Sequence, residues 1–190
     1  MAETLGTIIS SASQAIIDLL IAEVGFADGD IVMKSPADAD SMAKVSLYMF
    51  QLQTNPHLLN RPNEEVGLTG LRPAPLPLDL YYLITPLSTE PVTALGHLES
   101  IMSVFVDNAV LTPPLLPPTM VDAGNEEIRL TPHNLSLEDI NRLWAMFPNK
   151  QHYLSATYLL SPIYIQSAKV IPVTRVVEKT TQYYLTGDST

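Results

Sequence analysis

The stretch Arg72-Pro-Ala-Pro-Leu-Pro-Leu-Asp-Leu-Tyr-Tyr-Leu-Ile-Thr-Pro-Leu87 decides the fold of this chain. Its first prolines alternate at positions 73, 75 and 77, which excludes a helix and favours an extended approach. From Pro77 onward, successive side chains fall on opposite faces of a strand, and both faces are largely apolar. The pattern predicts a central strand over residues 77–85 that is covered on two sides and ends at Pro86.

Helices and further strands are predicted on both sides of this stretch. The spacing of apolar residues predicts an amphipathic helix over 5–22, a second helix from Pro91 to about Asn108, and a third that begins at the N-cap Ser136 with Asp139 completing a capping box. Alternation and β-branched content predict strands at 31–34, 45–53, 126–130 and 153–166. The fold class is therefore α+β, with a mixed sheet covered by about three helices.

The extended C-terminal residues are set apart from this body. Residues 170–177 are extended and β-branched, and they are too apolar for a free tail. We divide the chain into a domain over residues 1–168 and a C-terminal arm over residues 169–190.

Four local features carry more specific expectations. The second helix should bury one stripe of side chains, with His97 and Glu99 on its polar side, where a solvated face is favoured over a metal site because no third ligand has the right spacing. Residues 55–70 and 111–118 read as loops, the second stiffened by prolines. Pro162 requires a bulge or an edge position in its strand. The predicted buried stripe comprises Leu95, Leu98, Ile101, Met102, Phe105 and Ala109.

Composition excludes several classes of function. The 190 residues include 20 acidic and 10 basic side chains, for a net charge of −10, which disfavours nucleic acid and anionic membrane surfaces as partners. The absence of cysteine excludes disulfides and thiolate metal sites. No basic n-region precedes Lys34, so we expect no signal peptide, and no apolar run is long enough to span a membrane; both favour synthesis in the cytoplasm.

Residue chemistry indicates no reaction. The sequence has no phosphate-binding glycine loop, no G-x-S-x-G elbow and no H-E-x-x-H, and its four histidines follow no motif. The acidic group around Asp28 and Asp38 lacks the EF-hand pattern, so a solvated loop is favoured over a calcium site. We predict no catalytic residues, no metal and no cofactor, although twenty carboxylates leave a small soluble enzyme as an open alternative.

Four segments in the same order resemble one protein family. They are Pro75-Leu-Pro-Leu-Asp-Leu-Tyr-Tyr-Leu-Ile-Thr85, Leu95-Gly-His-Leu-Glu-Ser-Ile-Met102, Leu135-Ser-Leu-Glu-Asp-Ile-Asn-Arg-Leu-Trp144 and Tyr153-Leu-Ser-Ala-Thr-Tyr-Leu-Leu-Ser-Pro162. Together they resemble the N-terminal domain of cap, or tail-terminator, proteins of extracellular contractile injection systems of the antifeeding-prophage and virulence-cassette type. Two departures stand beside them: Leu59-Asn60-Arg61 replaces a frequent Leu-Arg-Asn, and many family members carry a further C-terminal domain, whereas this sequence stops at residue 190.

The resemblance implies a structural role. Such a cap is a hexameric ring that closes the end of the inner tube and of the contractile sheath, and its partners are the sheath protein and the tube protein. It implies assembly in the cytoplasm as part of a particle that can be released. A neck or tail-completion protein of a related phage-like particle is the alternative reading.

The arm and the scarce arginines supply the candidate interface residues. The segment 170–177 is a candidate for strand addition to a sheath subunit, with pairing inside its own domain as the competing interpretation. Arginine is enriched at interfaces. The candidates are Arg61, Arg72, Arg175, Ile171, Val173, Val176 and Val177.

Overall fold

The computed structural model describes residues 8–147 and 152–173. Within these two ranges the chain forms four helices and nine strands. In chain order they are α1 (Ile8–Val24), β1 (Ile31–Val32), β2 (Val45–Thr54), β3 (Glu64–Val66), β4 (Gly70–Arg72), β5 (Leu76–Pro86), α2 (Pro91–Asp107), β6 (Val110–Leu111), α3 (Pro118–Asp122), β7 (Ile128–Pro132), α4 (Leu137–Trp144), β8 (Ala156–Ile165) and β9 (Ile171–Pro172).

The strands form two sheets. The larger has the order β1-β2-β5-β8-β7-β6, and it is mixed because β1 runs parallel to β2 while the other neighbours pair antiparallel. The smaller has the order β3-β4-β9 and is antiparallel throughout. The predicted α+β class with a mixed sheet is confirmed.

The predicted central strand lies in the middle of the larger sheet. One face of β5 presents Leu80, Tyr82 and Ile84 to the main core, which is completed by side chains of α1, α2 and α3. The other face presents Leu83 to a smaller cluster that includes Trp144. Burial on both faces explains why the sequence of β5 is apolar at nearly every position.

The start of α4 follows the local sequence signals. Ser136 Oγ accepts a hydrogen bond from the backbone N–H of Asp139 at 3.1 Å, as an N-cap side chain should. In a standard capping box the side chain at the position of Asp139 accepts the backbone N–H of the N-cap residue. Here the carboxylate of Asp139 instead accepts the hydroxyl proton of Ser136 at 2.6 Å. Leu135 and Ile140 both pack against the cluster around Trp144, which is buried.

Two bulges adjust the larger sheet at the same end. The β2–β5 register shifts between Met49 and Gln51, and the β5–β8 register shifts between Leu78 and Leu80. The second shift lies where Pro162 interrupts β8, so the predicted bulge at this proline is confirmed. Pro162 follows a cis peptide bond.

Two predicted loops contain regular structure. The stretch 55–70 holds β3 and the first residue of β4, which form a short hairpin. The three residues of β3 are too few to show alternation, and its partner strand supplies the hydrogen bonds that define it. The proline-rich stretch leads into α3, which begins at Pro118 because proline suits the first position of a helix.

The predicted buried face of α2 was partly wrong. Leu98, Ile101 and Phe105 are buried, but Leu95 is 54% exposed and Met102 is 42% exposed. Ala109 lies beyond the helix and is exposed. The apolar residues of α2 cover a wider arc than the core can accept, so the helix buries one edge of that arc and leaves the other in solvent.

His97 was expected on the solvated side of α2 and instead lies half-buried. Its ring packs edge-on against Phe26 with the ring centroids 5.5 Å apart. Its Nδ1 is buried without a hydrogen-bond partner among the described residues. The ring therefore helps to hold the loop after α1 against α2.

Candidate assembly surfaces

The small sheet forms at the end of the molecule where β5 begins. β4 leads into β5 through residues 73–75, and β9 returns to pair with β4. Gly70 is buried in this contact, and a Cβ built on it would lie 2.7 Å from the carbonyl oxygen of Val66 and 2.8 Å from Cγ1 of Val170. The three short strands can approach this closely because position 70 has no side chain.

Arg61 and Arg72 lie at this same end, against the last residues of β8. The guanidinium of Arg61 lies 4.3 Å from the ring centroid of Tyr164, a cation–π contact. Nη1 of Arg72 donates to Oε1 of Gln166 at 2.7 Å and so joins the small sheet to the chain after β8. Arg61 is exposed, whereas Arg72 is half-buried with its Nε lacking a hydrogen-bond partner among the described residues.

The first residues of the arm pair within their own chain. Ile171 pairs with Leu71, and the N–H of Val173 donates to the carbonyl of Thr69 at 2.8 Å. This internal pairing covers residues 171–173 of the predicted extended segment. The candidates Arg175, Val176 and Val177 lie outside the described residues.

Exposed apolar side chains surround this pairing. Leu68 is 81% exposed at the turn between β3 and β4, and Val170 and Ile171 are also exposed. Leu76, at the start of β5, is exposed as well, and we refer to these four side chains on and next to the small sheet as the arm-end patch (Leu68, Leu76, Val170 and Ile171). Sequence reasoning identified Ile171 but missed Leu68, which the glycines at 67 and 70 mark as part of a hairpin.

A buried polar network fixes the sheet next to the arm-end patch. Oδ1 of Asp79 accepts hydrogen bonds from Nδ2 of Asn55 at 3.0 Å and from Oγ of Ser161 at 2.5 Å. Asp79 lies at the bulge in β5 and is 7% exposed. The network joins the end of β2, the start of β5 and the interrupted part of β8, which makes this end a rigid base for the small sheet.

The outer edge of β2 forms a second surface that sequence reasoning missed. β1 pairs with Val45 and Ser46, and in the described part of the chain no strand pairs with that edge beyond them. In the described structure, the eight residues of β2 from Leu47 to Thr54 therefore form an edge of the larger sheet with no partner strand on one side. Sequence alone predicted the strand but not its position in the sheet, because strand order is set by tertiary packing.

Titration shifts have local structural causes. A hydrogen bond from the Lys44 ammonium to Asp30 at 2.8 Å, followed by one from the N–H of Ala27, lowers the pKa of the Asp30 carboxyl. Burial raises the pKa of Tyr82 to about 12, against the smaller opposite effect of its hydrogen bond to Ser13. Burial also raises the pKa of Tyr158.

No cluster of metal-ligating side chains occurs within residues 8–147 and 152–173. In that part of the chain, no helix is long and apolar enough to cross a bilayer.

Comparison with known proteins gives one family and two similar folds. The family model described as the Pvc16 N-terminal domain matches residues 11–179. The sheath/tube terminator of an extracellular contractile injection system, PVC, in its extended state is similar with a TM-score of 0.68 and 18% identity over 96% of this chain. The tube-terminating cap of the anti-feeding prophage is similar with a TM-score of 0.63 and 17% identity over 90% of this chain.

The two similar proteins are longer than this chain. The match covers 65% of the PVC terminator and 60% of the anti-feeding prophage cap. No curated protein sequence matches the chain. At this identity the similarity shows a shared fold, and the family match covers nearly all of that fold.

Proposed function

Because this chain belongs to the family defined by the Pvc16 N-terminal domain, we propose that it is a structural cap of a phage tail-like contractile injection system. In this role it closes the end of the inner tube and of the surrounding sheath as a hexameric ring. The observation that carries the proposal is the family match over residues 11–179, supported by two terminator structures with the same fold.

The surfaces described above suit a structural role. A terminator must contact its own copies, the tube end and the last sheath layer, and the molecule carries separate surfaces at the arm-end patch and at the β2 edge. The proline-rich approach to β5 and the polar network at Asp79 hold the first of these rigidly, which reduces the entropy lost on association. The proposed partners are therefore further copies of this chain, a sheath protein and a tube protein, and we propose no catalytic step.

A truncation that tests the proposed division into a body and an arm must leave β9 in place. The boundary at 168/169 was placed from sequence, but β9 lies beyond it and pairs with β4. A truncation meant to remove the arm alone should therefore begin at Thr174, so that the small sheet remains intact. We propose that the body assembles in the cytoplasm with the rest of the particle before any release.

The direct test is a capping assay. Tube-and-sheath particles assembled without this protein should have irregular lengths and open ends, and the added protein should bind at one end as a ring seen by electron microscopy. Binding to a portal complex instead would support the neck-protein alternative. Uniform, closed particles in the absence of the protein would contradict the cap proposal.

Arg61 offers a sharper test at the level of one residue. We expect Arg61→Glu to weaken ring or particle binding while lowering stability by no more than about 1 kcal/mol, the usual size of an exposed cation–π contact. Arg142→Glu is the matched control, because Arg142 is an exposed arginine on α4 with an ion pair to Glu138. Equal assembly by both variants would show that Arg61 is not at an interface.

A further inference from the structure

The outer edge of β2 has the features of a site that accepts an added strand. Alternation in antiparallel pairing identifies the peptide groups that point outward. The N–H of Leu87 donates to Lys44 and the N–H of Asn55 donates to Pro77, so alternate positions counted inward from each end, as far as the bulge at Phe50, face away from β5. Met49, Leu52 and Thr54 are among these positions. Their N–H and C=O groups form a ready hydrogen-bonding edge.

A groove lies beside this edge on each face of the sheet. On the α1 side, Ile9, Met33, Met49 and Tyr82 line a largely apolar groove of about 440 Å³. On the α4 side, Met33, Asp38, Tyr48 and Phe147 line a second groove of about 480 Å³. Added strands are recognised by main-chain hydrogen bonds together with pockets for alternate side chains, and this edge provides both.

We infer that the strand added at the β2 edge is residues 174–184 of a second copy of this chain. The inference deepens the proposed cap ring by naming the contact between its subunits, and it rests on that proposal only for the closure of the ring. Its two halves, the acceptor edge and the donor segment, lie on different parts of one chain. Contacts of this head-to-tail kind generate closed rings when the rotation between copies closes.

The course of the chain before the segment favours a neighbouring copy over the same copy. β4 runs toward β5 and the larger sheet, and β9 is antiparallel to β4, so β9 runs away from the larger sheet. Val173 ends the described chain beside Thr69, near the turn of the β3–β4 hairpin. At Val173 the chain therefore runs away from the start of β5 and from the end of β2 that pairs with it. Eleven extended residues reach about 36 Å beyond Val173.

The composition of the segment suits the site. Residues 174–184 contain no proline or glycine and are rich in β-branched and aromatic residues. One alternate set contains Arg175, Val177 and Lys179, which complements the groove that holds the carboxylate of Asp38. Lys34 in the same groove pairs with Asp40 at 2.9 Å, whereas no ion pair to Asp38 occurs among the described residues.

Disulfide mapping tests the contact directly, because the natural chain has no cysteine. One preparation carries Leu52→Cys, and a second, differently tagged preparation carries single cysteines at successive positions from 174 to 179. We expect mixed-copy disulfides whose yield alternates with a period of two along the arm, since every second side chain faces the same side. Val106→Cys on α2, where the side chain is 72% exposed and no strand edge is present, is the control position.

The outcomes separate the possible acceptors. A further variant carries Leu52→Cys together with one arm cysteine in the same chain. Disulfides that form only within this variant, and not between the two tagged preparations, would overturn the inference, because the arm would then fold back on its own edge. The scan is repeated on assembled tube-and-sheath particles, and a product with the sheath protein but not with a second copy would overturn it in favour of strand addition to the sheath. No copy-to-copy product in solution or on particles would also overturn it.

A backbone variant provides an independent test. Leu52→Pro removes an outward N–H while leaving the β2–β5 hydrogen bonds, and Leu52→Ala removes the same side chain but keeps that N–H. We expect the proline variant to lower association by about tenfold or more and the alanine variant to change it little. Equal association would overturn the inference. The capping assay is scored separately, so loss of the arm contact with capping intact would count against this inference and not against the proposed function.

Discussion

Tyr82 and Ser13 form a buried hydroxyl pair between β5 and α1. Ser13 Oγ donates to the carbonyl of Ile9 at 3.2 Å and shares a hydrogen bond with the hydroxyl of Tyr82 at 2.8 Å. The pair accounts for a polar residue in the buried stripe of α1. The spacing of α1 alone would place Ser13 on the polar side of the helix, because its partner is 69 positions away and no local pattern indicates it.

Tyr82→Phe should remove a pH-dependent part of the stability. The folded pKa of about 12 lies above the ordinary 10.0, so the contribution of Tyr82 is fully present below pH 10.0 and is lost as the pH rises toward 12. We expect the variant to lose about 1 kcal/mol at neutral pH and to show a smaller further loss above pH 10.0 than the natural chain. Urea unfolding at several pH values measures both; parallel curves for the two proteins would contradict the assignment.

Asp30→Asn should change the stability of the protein at acidic pH. The pKa of Asp30 is lowered by the hydrogen bond from Lys44, so its contribution is present above its ordinary value of 3.8 and is lost as the pH falls through the lower folded value. We expect the variant to lose less stability on acidification than the natural chain. Thermal unfolding above and below pH 3.8 checks this, with Asp28→Asn as the control in the same loop.

At the scale of elements, the absence of a side chain at Gly70 allows the strands of the small sheet to pack closely. Gly70→Ala places a Cβ within 2.7 Å of a backbone oxygen, which a side-chain movement cannot relieve. We expect a loss of about 1–3 kcal/mol together with weakened pairing of β9. Faster exchange of the Val173 amide proton would report the lost pairing.

Gly96→Ala is the matched control for that substitution. Gly96 lies within α2, and a Cβ there meets nothing within 4 Å. We expect this variant to be more stable than the natural chain by up to about 1 kcal/mol, since alanine is favoured in helices. Equal effects of the two substitutions would show that the small sheet has room for a side chain.

Elements with strong local signals were predictable, and those that depend on distant partners were not. β5 follows from its alternation and α4 from its cap at Ser136, and both are confirmed. β3 has three residues, and its hydrogen bonds come from β4. The exposed residues of α2 show the same limit, because Leu95 and Met102 have the spacing of core residues but face away from the sheet.

At the scale of the whole molecule, the native mass decides between ring and monomer. A hexamer of 20.8 kDa chains has a mass of about 125 kDa. We expect light scattering to give this value for the full chain. Truncation before Thr174 should give a folded monomer, and its thermal unfolding should be nearly unchanged because β9 is retained. A truncated protein that still forms the ring would place the subunit contacts elsewhere.

Sequence was enough to indicate the family but not the candidate contact surfaces. Resemblance in four segments indicated the family, which the match over residues 11–179 confirms. Arg61 and Arg72 were chosen because arginine is scarce, and their common position against Tyr164 and Gln166 follows from the path of β8. The open β2 edge depends on the order of all six strands in the sheet, which no single segment encodes.

The pairing of β4 with β9 has a consequence for biosynthesis. Gly70 pairs with Pro172, and Leu76 pairs with Ile165, so each sheet joins strands that lie far apart in the chain. Such distant pairing is slow and cannot begin while the later strand is still inside the ribosome. Both sheets are therefore completed only after β8 and β9 have left the ribosome.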